Sequence, residues 1–392
     1  MIDYKAEAEK LREKLIEWRR DFHKYPEVGF EVQRTAGIVA DELRRLGLTV
    51  QTEVGKTGVV AILEGASAGE TVLWRSDMDG LPIQEENEVD YASVNPNQMH
   101  ACGHDGHMAI ALGAAHVLAA HRDKIKGRVK FMFQPAEEMG AGGALAMIRD
   151  GVLEAPEPDV SFGLHLWNTL PLGKVGLAPG AIMAGSSFFT LRVRGTAGHA
   201  AMPHTTIDPV ACSGQLISAL HTIVGRKMDA MAGAVVLSVT SVQTSSHAYN
   251  AIPAYVTIGG TFRSFSAFTS EMLEQHIRSV SKSVCESVGC ELDIHIRHPN
   301  IPVINDERIT RRMRSAFAGL VGEQNFVEER TMASEDMAYV LEDVPGVYFF
   351  LGSANKDKEL TYPHHHPRFN FDEDVLPLGV ALACRAISEY VM

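Results

Sequence analysis

Between residues 186 and 297 the spacing of apolar residues changes period in a fixed order, and that order is the strongest constraint on the fold. A two-residue period over 187–194 predicts a strand, and a helical period over 208–224 predicts a helix. Two strands at 234–243 and 254–263, a helix at 270–288 and a strand at 291–297 follow. The series β-α-β-β-α-β is the ferredoxin-like unit, which folds around a core of its own. A chain of 392 residues exceeds the usual size of one core, so a second domain is expected around it.

The flanks carry a different pattern. Leu11, Leu15 and Trp18 recur at helical spacing, predicting an amphipathic helix over 5–22. A second helix runs from about Glu31 to Leu46, with Gly47 as its C-terminal cap. Short apolar runs at Gly58–Leu63, Thr71–Ser76, Val129–Gln134 and Val160–Trp167 read as strands, separated by helical stretches near 105–121 and 142–150. After the ferredoxin-like unit, helical and strand segments resume at 306–320, 346–351 and 374–391. Alternation of this kind predicts an α/β layer with a largely parallel sheet. The expected organisation is a discontinuous catalytic domain over 1–184 and 299–392, with an inserted domain over 185–298.

A formal net charge of −13 argues against nucleic acid or an anionic membrane as a partner. The apolar stretch Met108 to Ala120 is too short to span a bilayer and carries His116. No apolar signal core follows Met1. Five scattered cysteines suit a reducing compartment better than a disulfide framework, so a cytoplasmic location is expected.

Chemistry-bearing residues gather just after the predicted strands, where open α/β sheets place their ligands. His100-Ala101-Cys102-Gly103-His104-Asp105-Gly106-His107 combines a thiol with imidazoles, donors suited to zinc or a similar ion. No C-x-x-C pair accompanies it, which disfavours a four-ligand structural zinc site. Pro135-Ala136-Glu137-Glu138 delivers adjacent carboxylates after a strand. In extended backbone these would point to opposite sides, one to bind metal and one to take a proton. Asp77 and Asp79 follow another strand, His165 lies in an apolar one, and His364-His365-His366 precedes Pro367. Each signal has a plain structural alternative. Cys102 suits a buried small side chain, Glu137 and Glu138 a solvated loop, His165 a core position and the three histidines a surface loop.

The ordered motifs, taken together, resemble the aminoacylase/carboxypeptidase family of di-metal hydrolases in its amidohydrolase branch. They are Arg75-Ser76-Asp77-Met78-Asp79-Gly80-Leu81-Pro82, Cys102-Gly103-His104-Asp105, Pro135-Ala136-Glu137-Glu138, Gly163-Leu164-His165, Gly198-His199-Ala200-Ala201-Met202-Pro203-His204, Ser334-Glu335-Asp336 and the histidines before Pro367. The branch includes hippurate hydrolases, N-acetyl-amino-acid deacetylases and indole-acetyl-amino-acid hydrolases. The resemblance implies a catalytic domain with an inserted ferredoxin-like α+β dimerisation domain, in a homodimer or homotetramer. It implies two divalent ions per subunit, zinc or manganese first, nickel or cobalt as further options. Cys102, His104, Glu138, His165 and His365 match the ligands, with His364 and His366 as alternatives to the last. Glu137 matches the general base, and Asp79 an aspartate that supports the ligands from behind. His199 matches a histidine that polarises the scissile carbonyl from a neighbouring subunit. Asn250 and Arg263 match substrate-holding residues, and a guanidinium can grip an α-carboxylate through two hydrogen bonds. Gly80 and Met108 stand where the family commonly has alanine and threonine.

The activity so implied is hydrolysis of the amide bond of a small N-acyl amino acid, with an N-acetyl, N-benzoyl or aryl-acetyl group. The rivals are a metallo-dipeptidase or carboxypeptidase and a non-catalytic metal-binding protein. Cys102 favours the amidohydrolase branch, because peptidase branches tend to use an aspartate there.

Overall fold

The computed structural model describes residues 2–138, 140, 142–231 and 233–392. The chain divides into two compact units. One comprises the chain up to Ile182 together with Ile304–Arg330 and Asp336–Met392, and the other comprises Met183–Val303 with Thr331–Glu335.

The first unit begins with α1 (Tyr4–Glu9), α2 (Arg12–Lys24), α3 (Gln33–Arg45), β1 (Thr49–Val54), β2 (Gly58–Glu64) and β3 (Ser67–Asp77). It continues with α4 (His104–Ala120), β4 (Lys126–Gln134), α5 (Gly143–Arg149), β5 (Val160–Pro171), β6 (Val175–Gly176) and β7 (Gly180–Met183), which leads out of it. The second unit holds β8 (Gly185–Arg194), β9 (Gly198–His199), α6 (Pro209–Arg226), β10 (Val235–Thr244), β11 (Ala251–Ile252), β12 (Tyr255–Ser264), α7 (Ala267–Ser287) and β13 (Glu291–Asn300). The chain returns through β14 (Val303–Asn305) to α8 (Glu307–Val321), β15 (Phe326–Val327), α9 (Met337–Asp343), β16 (Gly346–Ala354) and α10 (Leu376–Val391).

Eight strands form the sheet of the first unit in the order β1-β2-β4-β3-β5-β16-β6-β15. Its centre, β4-β3-β5-β16, is parallel, whereas β1 and β2 add antiparallel strands at one flank. The central strands are buried on both faces, as continuous runs such as Phe131-Met132-Phe133 require. Helix α4 is apolar nearly all round and almost wholly buried, packing against α2, α10 and β3. No described helix is long and apolar enough to cross a membrane.

Two expectations need correction here. The single helix predicted over 5–22 is two helices that break at Lys10–Leu11. The break lays α1 against α10, where the Tyr4 hydroxyl hydrogen-bonds Ser388 Oγ. Strand β1 went unpredicted because its residues are mostly exposed and its sequence Thr-Val-Gln-Thr-Glu-Val carries little apolar signal. Helix α3 does end at Gly47, whose φ of +76° places it in the left-handed region. The Gly47 and Leu48 N–H groups donate to the Arg44 and Leu43 carbonyls, completing the two-bond cap.

The second unit is an antiparallel sheet in the order β10-β12-β8-β13, with α6 and α7 packed on it. Phe189, Leu191 and Val193 of β8 face its core, and the residues between them are exposed. Thus the ferredoxin-like class holds, on an α/β first unit. Thr331–Glu335 joins this unit because the Ala184 N–H donates to the Thr331 and Ala333 carbonyls, and Arg263 Nη1 donates to the Met332 carbonyl. Five residues of that kind leave no periodic trace in a sequence. All five cysteines are free thiols, with Cys212 and Cys285 in sulfur contact at 3.8 Å between α6 and α7.

Gly143 tests the link between fold and site. A Cβ there would stand 1.7 Å from the Pro135 carbonyl oxygen, a backbone atom that cannot swing aside. Gly143→Ala is expected to lower stability by at least about 2 kcal/mol. Gly37→Ala, in α3 with no atom within 4 Å, is expected to gain up to about 1 kcal/mol. Urea unfolding midpoints check the pair, and equal midpoints would contradict the packing described.

Candidate metal centre

Strand ends and one helix start assemble the site. Cys102 and His104 lie at the start of α4, where Gly103 at φ +90° turns the chain into the helix. Glu137 and Glu138 follow β4, His165 sits within β5, and His365 lies in the loop before α10. The His365 N–H donates to the Ala101 carbonyl at 2.8 Å, which ties that loop to the cysteine segment.

The donor groups that fall within 4.8 Å among the described residues include Cys102, His104 and His165; Cys102, Glu138 and His365; His104, Glu137 and Glu138; and Asp77, His104 and His107. Cys102 belongs to two of them. Its sulfur is 3.5 Å from His165 Nε2, and Glu138 Oε1 is 3.3 Å from His365 Nε2 and 3.8 Å from His104 Nε2. Donors on a tetrahedral zinc ion stand roughly 3.3–3.7 Å apart, so these spacings match neighbouring corners of a coordination shell. Of the three consecutive histidines, only His365 enters such a group. His364 is half-buried, stacks on Trp167 with centroids 4.6 Å apart and donates from Nε2 to the Leu166 carbonyl. His366 stacks on Tyr362.

The imidazoles are aimed by their other nitrogens. His104 Nδ1–H donates to the Asp79 main-chain carbonyl at 2.8 Å, and His165 Nδ1–H donates to the Leu166 carbonyl at 2.7 Å. In both rings Nε2 therefore faces the donor groups. The Asp79 carboxylate accepts from the Glu137 and Glu138 N–H groups at 3.1 and 3.2 Å, holding the turn that presents them. That turn corrects the extended-strand expectation: Ala136 has φ +56°, and both glutamates fall in one donor group with His104. A left-handed alanine and a left-handed His365 are costly in backbone energy and occur where position outweighs comfort.

The electrostatics ask for a cation. Burial lowers the affinity of His104 for a proton, but Asp77, Asp79 and Glu138 outweigh it and raise the pKa to about 10. Carboxylates that hold an extra proton so firmly would equally stabilise a metal ion. Burial and the nearby glutamates push the Cys102 thiol well up, so a thiolate there needs a cation beside it. His104 Nε2 and Glu138 Oε1 are buried and have no hydrogen-bond partner. The residues present thus fit divalent ions.

Other predicted residues belong to the second unit. His199 is exposed in β9, where it pairs with Ala251 of β11, and its Nδ1 accepts from the Ala201 N–H. Asn250 is close by in sequence register, its carbonyl accepting from the Ala200 N–H at 2.9 Å. Arg263 is half-buried near the end of β12. Several residues around the metal donors escaped the sequence reading. Asp105 is buried between Arg19 Nε at 2.9 Å and His23 Nδ1 at 2.8 Å, and these anchor the first turn of α4. Burial raises the Asp105 pKa, but Arg19 and His23 overcome that and keep it ionised. The Cys102-Gly103-His104-Asp105 motif held Asp105 in view, yet nothing in the sequence links it to a helix more than eighty positions earlier.

A buried, shared thiol among imidazoles and carboxylates at the ends of parallel strands defines a metal-dependent hydrolase centre, in a two-unit α/β framework with a ferredoxin-like insert. The chain belongs to peptidase family M20/M25/M40, hydrolases of amide bonds, which it matches over residues 73–389. It is 40% identical over 303 residues to an N-acyl-L-amino acid amidohydrolase of Geobacillus stearothermophilus, covering 77% of this chain and 81% of the relative. It is 35% identical over 379 residues to thermostable carboxypeptidase 1 of Saccharolobus solfataricus, covering 96% and 95%. A solved dinuclear metal-binding peptidase of the M20 family from Bacillus subtilis superposes with TM-score 0.84 at 31% identity, covering 96% of this chain and 98% of that one.

His100 offers a check on burial in this region. Neither ring nitrogen has a hydrogen-bond partner, and burial pushes its pKa from 6.5 down to about 3. The folded state keeps it neutral while the unfolded chain takes up a proton below about 6.5, so stability is lost as pH falls through that window. In metal-free protein, the melting temperature of His100→Phe should fall less between pH 7.5 and 5 than that of the wild type. Identical pH slopes would contradict a neutral, unpartnered His100.

Proposed function

We propose that this chain hydrolyses the amide bond of N-acyl amino acids to a carboxylic acid and a free amino acid. We further propose two divalent ions per subunit, held by Cys102, His104, Glu138, His165 and His365, with zinc or manganese foremost. The observation that carries this reading is Cys102 standing in two donor groups at once, beside a second glutamate that can serve as a base. The similarity to an N-acyl-L-amino acid amidohydrolase supports the substrate class, and the likeness to a dinuclear peptidase supports the metal count.

Ions bound there would polarise the amide carbonyl and lower the pKa of the attacking water. The remaining work falls to the chain. Glu137, buried and fixed by the Asp79 carboxylate, takes the proton of the attacking water and delivers it to the leaving nitrogen. Asp79 keeps His104 in the tautomer that presents Nε2. On the family resemblance, His199 of a neighbouring subunit polarises the carbonyl, Arg263 grips the α-carboxylate and Asn250 assists it, in a homodimer or homotetramer.

Glu137→Ala is expected to keep its metal content while kcat falls by roughly 10²–10⁴-fold; undiminished kcat refutes the role. Mixing Glu137→Ala with His199→Ala subunits should restore part of the activity if the histidine acts across subunits. No recovery, with subunit exchange demonstrated, rejects the trans arrangement. The substrate class is tested by amino-acid release from N-acetyl, N-benzoyl, aryl-acetyl and dipeptide substrates, using chelated enzyme resupplied with zinc, manganese, cobalt or nickel. Similarity to a carboxypeptidase keeps one second reading, and metal-dependent release from dipeptides alone would favour it.

A further inference from the structure

The ladder between β3 and β5 stops at Arg75 and Gly163. Farther along β5, the buried Leu166 N–H still needs an acceptor. It donates to His107 Nε2 at 2.9 Å, so an imidazole takes the place of a strand neighbour. Leu166 is the residue whose carbonyl receives His165 Nδ1–H. The rings of His107 and His165 meet edge to face, with centroids 4.6 Å apart.

We propose that His107, held by Asp77, is a positioning residue of the metal centre: it fixes the Leu166 peptide and thereby aims His165 Nε2 at Cys102. The inference rests on the metal reading of the site and adds residues that reading does not use. A nitrogen that accepts from an N–H cannot also give that lone pair to a cation, so His107 acts from behind the ligands although its donor atoms lie near His104 and Asp77. With Nε2 accepting, the proton of a neutral ring sits on Nδ1, which donates to Asp77 Oδ1 at 2.7 Å.

Asp77 is fixed in turn. Arg75 Nη1 donates to its Oδ2 at 2.6 Å, while Arg75 Nε reaches Gln134 Oε1 at 2.9 Å and Nη2 reaches Asp336 Oδ1 at 2.9 Å. Asp336 also accepts from Gln134 Nε2 and the Ala144 N–H. Arg75 and Asp77 share one side of β3 because they are two residues apart. The aim of His165 is therefore set by a buried network that binds the ends of β3 and β4 to the starts of α5 and α9.

Selective ¹⁵N labelling of histidine in metal-free protein tests the hydrogen bonds directly. The His107 ring is expected in the Nδ1–H tautomer, and its signal is identified by its loss in His107→Phe. Cobalt(II) titration in competition with a chelator tests the consequence. His107→Phe should bind cobalt roughly 10–100-fold more weakly, with an altered d–d absorption band. His107→Gln, which keeps both a donor and an acceptor, should recover part of the affinity, while the melting temperatures of the metal-free variants fall by no more than about 5 °C. Should His107→Phe not fold, Asp77→Asn is read in the same way.

An Nε2–H tautomer, a one-bond ¹¹³Cd coupling to the His107 ring, unchanged cobalt affinity in His107→Phe or no recovery in His107→Gln would each overturn the proposal. Wild-type protein that takes up no cobalt would instead sink the metal reading. That outcome is distinct from failure of this proposal alone, in which the wild type binds cobalt and His107→Phe binds it equally well.

Discussion

Asp79 is the residue on which the two halves of the centre depend. Its main-chain carbonyl sets the tautomer of His104, and its two carboxylate oxygens hold the consecutive N–H groups of Glu137 and Glu138. A single residue just past β3 thus orients His104 of α4 and the Glu137–Glu138 pair of the loop after β4. Burial raises the pKa of its carboxyl, and the hydrogen bonds from the loop and from His104 work against that rise. Where two loops share one support, neither can relax alone.

Around that support the protein keeps two kinds of buried charge apart. The Arg19–Asp105–His23 set is fully paired: Asp105 Oδ2 accepts from Arg19 Nε and meets His23 Nδ1, while Arg19 Nη1 reaches Glu373 and His23 Nε2 reaches Glu85, and it fixes the start of α4. The donor groups of Cys102, His104 and Glu138 are unbalanced, with a thiol pushed up, an imidazole forced to hold a proton and buried polar atoms that make no hydrogen bond. Buried charge is tolerated in the first set because it is paired, and in the second because another charge is to be received. That contrast separates scaffolding from function more sharply than burial alone.

Much of this was legible in the sequence, and for identifiable reasons. The inserted unit was readable because β8 and β12 alternate sharply, β10 and β13 turn Leu237, Leu292, Ile294 and Ile296 toward the same core, and α6 and α7 carry helical spacing. The parallel centre was readable because strands buried on both faces are continuous apolar runs. Cys102, His104, Glu138 and His165 stood out as metal-type donors placed after or within such runs. The preference for His365 over His364 and His366 came from the resemblance and not from the residues' own pattern, since its place beside Cys102 and Glu138 goes with a positive φ at His365 and the stacking of its neighbours. The pairing of Arg19 with Asp105 or of Arg75 with Asp336 was not legible, because contacts across 86 and 261 positions leave no local pattern. The break at Lys10–Leu11 was lost for the same reason: α10, not the local sequence, decides where α1 lies.

The second unit is not a single piece of chain. Its sheet and helices come from Met183–Val303, but Thr331–Glu335 completes it, accepting the Ala184 N–H and the Arg263 guanidinium along its backbone. A cassette cut at the two obvious crossings would carry away the sheet and leave behind the strip that occupies one of its arginines. Grafting this insert onto another hydrolase therefore means transplanting two segments in register. A recombination point between residues 303 and 331 would separate parts that have to be inherited together.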